Sequence, residues 1–166
     1  MAKSLADLHC SVARTLDVVG ERWTMLVLRD AFNGLSRFEE FAESLPIARN
    51  ILAARLKTLV DHGVLAREQY QAHPPRYEYH LTPKGADLYP VLIGLFNWGD
   101  AYLAGEDGAP LELAHHACES DAPRPESVVV CGGCGEPLHP RDVRRAGRPA
   151  GRSTGRPAPR GASGAR

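Results

Sequence analysis

Between residues 10 and 105 the apolar positions recur first at helical spacing, then briefly with period two, then at helical spacing again. A first helix is predicted over 12–19, with Val12, Leu16 and Val19 along one side. A second is predicted over about 22–32. Trp23, Leu26, Val27 and Ala31 form its apolar stripe, and Asn33-Gly34 supplies the stop. Ser36 is placed to cap a short third helix, with Glu39 three positions on completing a capping box. Phe38, Phe41 and Leu45 point inward from it, and Pro46 helps to end it.

The next helix is predicted over about 49–62. Leu52, Leu56, Leu59 and Val60 make its buried stripe, and Gly63 stands where a left-handed cap is wanted. Asn50, Ala53, Ala54 and Lys57 lie toward the other side. Two strands follow, over 64–70 and 76–81, joined by a segment containing Pro74-Pro75. Thr82 then caps a long helix with Pro83 at its first position, carrying Leu88, Val91, Leu92, Leu95, Phe96 and Trp98. The fold class is therefore mainly α with a small β-hairpin. The order is that of a winged helix-turn-helix: a short helix, a turn, an amphipathic helix for the major groove of double-stranded DNA, and a hairpin wing.

Charge sharpens this picture. The chain has 20 basic and 20 acidic side chains, which excludes a polycation that coats nucleic acid. Within an acidic body, the stretch 49–76 reverses sign through Arg49, Arg55, Lys57, Arg67 and Arg76 against Asp61 and Glu68, a local surface suited to phosphate. Asn50 can pair with adenine, and Arg49 can reach guanine or phosphate. Lys57 suits phosphate as a point charge. Ala53 and Ala54 offer close approach or a thymine-methyl contact, and Arg76 beside the prolines suits a narrow minor groove. Arg55, at the flank of the apolar stripe, can instead tie helices together through its stem, and Arg49 has the same ambiguity. Trp23 and Trp98 read as core or subunit interface, and Tyr77 and Tyr79 as sheet residues.

Residues 10–100 resemble the HxlR-type winged-helix regulators, relatives of the MarR group. The matching runs are CSVARTLDVVGERW at 10–23, SRFEEF at 36–41, ARNILAARLKTLVDHGVLAR at 48–67, PPRYEYHLTPKG at 74–85, and Trp98-Gly99. The resemblance implies a homodimer assembled through the N-terminal helix and the long helix after the wing. Two recognition helices would then meet a roughly palindromic operator with half-sites about one turn apart. It also implies a possible role for Cys10, since some members use an N-terminal cysteine as a redox sensor; the alternative is a small buried residue at a helix start.

The remaining chemistry lies toward the C-terminus. Residues 10–107 form the expected DNA-binding and dimerisation domain, and 108–140 a short cysteine-containing module. Cys131-Gly-Gly-Cys134 has the spacing of a zinc knuckle, which Cys118 and His116 (or His115 or His139) could complete as a structural Zn2+ site; the alternative is a loop with unused thiols. DNA binding itself calls for no cofactor. A cytidine-deaminase reading fails, because no His-x-Glu stands upstream and Val130 replaces the required proline. Residues 141–166 hold eight arginines among Gly, Pro, Ala and Ser and read as a disordered tail that either contacts phosphate or is simply solvated. No catalytic constellation is recognisable, so no enzymatic activity is expected. No apolar run approaches a membrane span and the N-terminus lacks a signal-peptide layout, so the expected location is cytoplasmic. A thiol- or metal-responsive sensor with the same DNA output, and a winged helix used for protein contact, are the alternatives to an ordinary regulator; the effector is not readable.

Overall fold

The computed structural model describes residues 10–105, 108, 113 and 128–143, and the chain divides into two units, Met1–Ser127 and Val128–Arg166. In the first unit the described elements run α1 (Ser11–Val19), α2 (Thr24–Phe32), α3 (Phe38–Ser44), α4 (Arg49–Asp61), β1 (Leu65–Gln71), β2 (Arg76–Leu81), α5 (Pro83–Ala86) and α6 (Tyr89–Leu103). The core forms where the stripes of α2, α3 and α4 meet. Val27, Leu28, Phe41, Leu52, Leu56 and Leu59 are each at most 1% exposed, and Val64 and Leu65 close the cluster from the start of the wing. Burying a leucine of this kind contributes roughly 1.5–3 kcal/mol, so these few side chains fix how α4 sits on α2 and α3.

Local chemistry sets the joints. Gly63 has φ +64°, the left-handed conformation that ends α4. The Thr82 hydroxyl, 2.7 Å from the Gly63 carbonyl oxygen, also accepts the Gly85 N–H at 3.1 Å and so caps α5. Gly85 itself is required by contact: a Cβ there would lie 2.2 Å from the carbonyl oxygen of Val64. The antiparallel wing pairs Leu65 with Leu81, Arg67 with Tyr79 and Gln69 with Tyr77, with an irregularity between Gln69 and Gln71.

Three expectations need correction. Helix α3 begins one residue later than the Ser36–Glu39 capping box predicts. Arg37 is the N-cap, and one carboxylate oxygen of Glu40 accepts the N–H groups of Ser36 and Arg37, both at 2.8 Å. Ser36 is drawn away because its carbonyl accepts the Tyr79 N–H at 2.7 Å, extending the wing, while Glu39 is engaged by Arg49. The carboxyl of Glu40 is held below its usual range by those two backbone donors.

The long helix after the wing is also interrupted: α5 ends at Ala86 and α6 starts at Tyr89. Pro90 is the cause, since it has no N–H for the Ala86 carbonyl and its ring would press on it. On α1, Ala13 and Val19 are buried, whereas Val12 and Leu16 are 67% and 48% exposed. Cys10, read as a small buried residue, is the exposed N-cap of α1.

Candidate nucleic-acid interface

The leucines of α4 point into the core, and at 100° per residue this turns Asn50, Ala53, Ala54 and Lys57 to one outward face. All four are exposed, as is Arg49 beside them. Ile51, 38% exposed, borders the same surface. Between this helix and the wing runs a groove: one recess of about 580 Å³ is lined by Ala53, Lys57, Arg67 and Tyr79, and a second of about 410 Å³ by Glu39, Tyr70, Arg76 and Tyr77. Phe38 of α3 and Tyr79 of β2 border both recesses.

Three of the cations around the groove, Arg37, Arg49 and Lys57, pair with acids of the same chain. Arg49 makes a two-pronged contact with Glu39, one bond at 2.7 Å, and lies over the Phe38 ring at 4.8 Å. That hydrogen bond lowers the Glu39 carboxyl and raises the Arg49 guanidinium from their usual values. Lys57 pairs with Asp61 one turn on. Arg37 pairs with Glu78 at 2.9 Å and covers the Tyr70 ring at 4.7 Å, and Arg67 lies 4.1 Å over Tyr77. Exposed pairs of this kind are weak and readily exchanged. A phosphate could therefore take over the cation from its carboxylate, and the stacked guanidinium planes keep those cations aimed while they wait.

The structure thus brings Arg49, Asn50, Ala53, Ala54 and Lys57 onto one helix, with Arg76 at the far side of the groove. Arg55 goes elsewhere: its side chain is 22% exposed and reaches Glu21 at 3.6 Å, tying α4 to the segment before α2. Sequence reasoning missed Arg37 and Tyr70, and placed Arg67 in the basic stretch without assigning it a contact. The signal for Arg67 was present in the period-two pattern that sets it across from Tyr79; Arg37 and Glu78 are 41 residues apart, beyond any local pattern.

In the second unit, Val130 and Pro137 pair across a tight turn. Cys131 N–H donates to Glu136 and Gly135 N–H to Cys131, both at 2.8 Å, and Gly135 has φ +78°. Backbone N–H groups of Cys134 and Gly133 aim at the Cys131 sulfur and, with the Cys134 thiol, lower its pKa. A turn that stabilises thiolate fits a metal's preference for S⁻ donors. Cys118, His115 and His116 lie outside the described residues, and among the described residues no cluster of three or more metal-binding side chains occurs. Arg141 and Asp142 lie in a short 3-10 turn, Pro140–Asp142; the tail beyond Val143 lies outside the described residues.

Recognition helix, cap, wing and groove together define a winged helix-turn-helix protein. Residues 18–107 match the HxlR-like helix-turn-helix family, and the chain belongs to that family of transcriptional regulators, not to an enzyme family. An uncharacterised HTH-type transcriptional regulator of Mycobacterium tuberculosis (strain H37Rv) is 45% identical over 133 residues, 80% of this chain and 82% of that protein. YdeP of Bacillus subtilis, also an uncharacterised HTH-type regulator, is 38% identical over 56% of this chain and 73% of its own length. Among solved structures, the candidate transcription factor PA1607 superposes with a TM-score of 0.76 at 42% identity, covering 87% of this chain and 99% of PA1607. The redox regulator HypR in its reduced form superposes with a TM-score of 0.52 at 34% identity, over 55% of this chain and 92% of HypR. No helix among the described residues is long and apolar enough to cross a membrane.

Proposed function

We propose that the protein is a homodimeric transcriptional regulator that reads a roughly palindromic operator. The observation that carries this is the outward face of α4, where Asn50, Ala53, Ala54 and Lys57 stand beside a cation-lined groove closed by the wing. Asn50 supplies the base contact, Lys57 and Arg49 hold phosphate, and the small side chains of Ala53 and Ala54 let the helix approach the groove floor. Arg76 meets the backbone or minor groove from the wing. The dimer reading is supported by two apolar surfaces left exposed among the described residues: Val12 and Leu16 on α1, and Val91, Leu95, Trp98 and Tyr102 on α6, each between 48% and 73% exposed. On α6 these four recur at i, i+4, i+7 and i+11, the spacing of a helix that packs on another helix.

The test is a titration of fluorescent duplexes across salt, together with light scattering. A regulator of this design loses affinity steeply as salt rises and prefers its operator over random duplex. A flat salt response, or equal affinity for all sequences, would contradict the reading.

A second reading concerns the input. Cys10 is exposed at the start of α1, on the surface assigned to the dimer, and HypR, a redox regulator, shares this fold. Oxidation of this thiol would then alter the dimer and its DNA affinity. DNA titration with and without diamide, in the wild type and in Cys10→Ser, tests it; an oxidant response retained in the serine variant would contradict it. The hairpin around Cys131 and Cys134, whose backbone N–H groups favour thiolate at Cys131, supports structural zinc held on these two sulfurs. Metal analysis of purified protein should give about one zinc per chain, lost in Cys131→Ser. Zinc at background level in the wild type would contradict the site.

A further inference from the structure

Helix α6 has two distinct apolar faces. The exposed stripe of Val91, Leu95, Trp98 and Tyr102 is one of them. The other, centred on Leu92 and Phe96, lies about 110° round the helix and faces α2 across a cavity of about 320 Å³. Met25 and Phe32 of α2 and Leu92, Ile93 and Phe96 of α6 build its walls. One end is framed by an aromatic pair, Phe32 and Tyr89, with ring centroids 5.1 Å apart. Leu95 of the exposed stripe also lines the cavity, so a dimer joined through that stripe borders it. Its size and its largely apolar lining are those of a small-molecule site.

The polar groups of the lining are few: Arg29, Asn33 and the Tyr89 hydroxyl. The guanidinium of Arg29 is held by Asp30, with Nε and one Nη both directed at the same carboxylate oxygen, at 2.8 and 2.6 Å. Asp30 is 3% exposed, so the anchor is fixed. A guanidinium has five N–H donors, and this contact leaves others for a ligand. The side chain is 42% exposed, so it can meet a ligand headgroup from the cavity while remaining hydrated.

We propose that the cavity between α2 and α6 binds a small amphipathic effector, an aromatic body carrying one carboxylate that Arg29 receives. The body fills the space between Phe32, Leu92 and Phe96, and Asn33 orients the head. The consequence for DNA follows from the position of α2. Its Met25 and Phe32 line the cavity, while its Val27 and Leu28 belong to the same core cluster as Leu52, Leu56 and Leu59 of α4. A ligand that spreads α2 from α6 changes the seat of the recognition helix, and its effect on DNA equals its difference in affinity for the two arrangements. This regulatory step rests on the operator-binding reading above.

The probes are 2-naphthoate and its neutral counterpart 2-naphthalenemethanol, titrated by calorimetry into the full-length protein. Saturable binding of 2-naphthoate at one site per chain is expected, with the alcohol about tenfold weaker. Arg29→Gln should remove most of that preference, bringing the affinities of the two probes together. Ile93→Trp should abolish both by filling the cavity; because that variant could disturb folding, the Arg29→Gln comparison stands independently of it. No saturable binding, equal affinity for both probes, or loss of binding in Trp98→Ala with retention in Arg29→Gln would each overturn the site. Operator affinity is then measured with saturating 2-naphthoate, and a shift of about threefold or more is expected. A protein that binds operator but no probe disproves the effector site and leaves the regulator reading intact. One that binds probe but no DNA disproves the regulator reading instead.

Discussion

Helices α4 and α6 use apolar residues in opposite ways. α4 mixes leucines with Arg, Asn, Lys and Thr, yet Leu52, Leu56 and Leu59 are all at most 1% exposed. α6 is far richer in apolar residues, yet none of its side chains is buried. Hydrophobic content alone therefore says little about where the core is. Period and neighbours decide: α4 offers one narrow stripe to α2, α3 and α1, whereas α6 offers apolar groups around most of its girth and, among the described elements, packs chiefly on α2. A helix apolar on several sides needs partners on several sides, and among the described elements α2 is the main one.

The largest effect that would sharpen this contrast is Leu56→Ala in α4. It should destabilise the fold by about 2–5 kcal/mol, because the cavity lies where four elements meet. Chemical denaturation of the monomer-diluted protein measures it. The matched change in α6, Trp98→Ala, should leave helical content intact and weaken dimerisation by about 2 kcal/mol or more, read by sedimentation across concentration. If Trp98→Ala instead unfolds the chain at constant association, the contrast between the two helices breaks.

Next in size is the contact face of α4. Asn50→Ala should cost about 1–3 kcal/mol of operator affinity and relax selectivity at one base pair. Lys57→Ala should weaken all sequences alike and reduce the salt slope by about one. Smaller again is the cap of α3. Glu40→Ala should destabilise by about 1 kcal/mol at neutral pH. The folded carboxyl titrates below its ordinary value of 4.5, so this contribution is present above that value and is lost as pH falls through the lower folded pKa. The gap between wild type and variant should therefore close in acid; a gap that stays constant with pH would contradict the cap. The smallest expected change is Glu39→Gln, which releases Arg49 from its carboxylate partner and should raise DNA affinity by about two- to threefold at low salt.

Much of this architecture was legible in the chain because it is local. The Leu52–Leu56–Leu59 stripe, Gly63 as the left-handed stop and Thr82-Pro83 as a helix start each depend on neighbours within one turn. The break before α6 was equally local: Pro90 carries it, and the apolar run around it masked the signal. The start of α3 was misread by one residue because two adjacent glutamates could each complete a cap, and the choice between them is made by Tyr79 and Arg49, far along the chain. For the same reason the outward face of α4 could be listed residue by residue, while its electrostatic state could not. The pairs Arg49–Glu39 and Arg37–Glu78 exist only once α3, α4 and the wing are assembled. Exposure of Val12 and Leu16 was hidden too, since an apolar stripe looks the same whether it faces the chain's own core or a second copy.

The most direct test of the central claim is selection of bound duplexes from a random library by the full-length protein. The account predicts enrichment of an inverted repeat whose half-sites lie about one helical turn apart, with enrichment lost in Asn50→Ala. No enriched sequence, or an enriched site indifferent to Asn50, would contradict it.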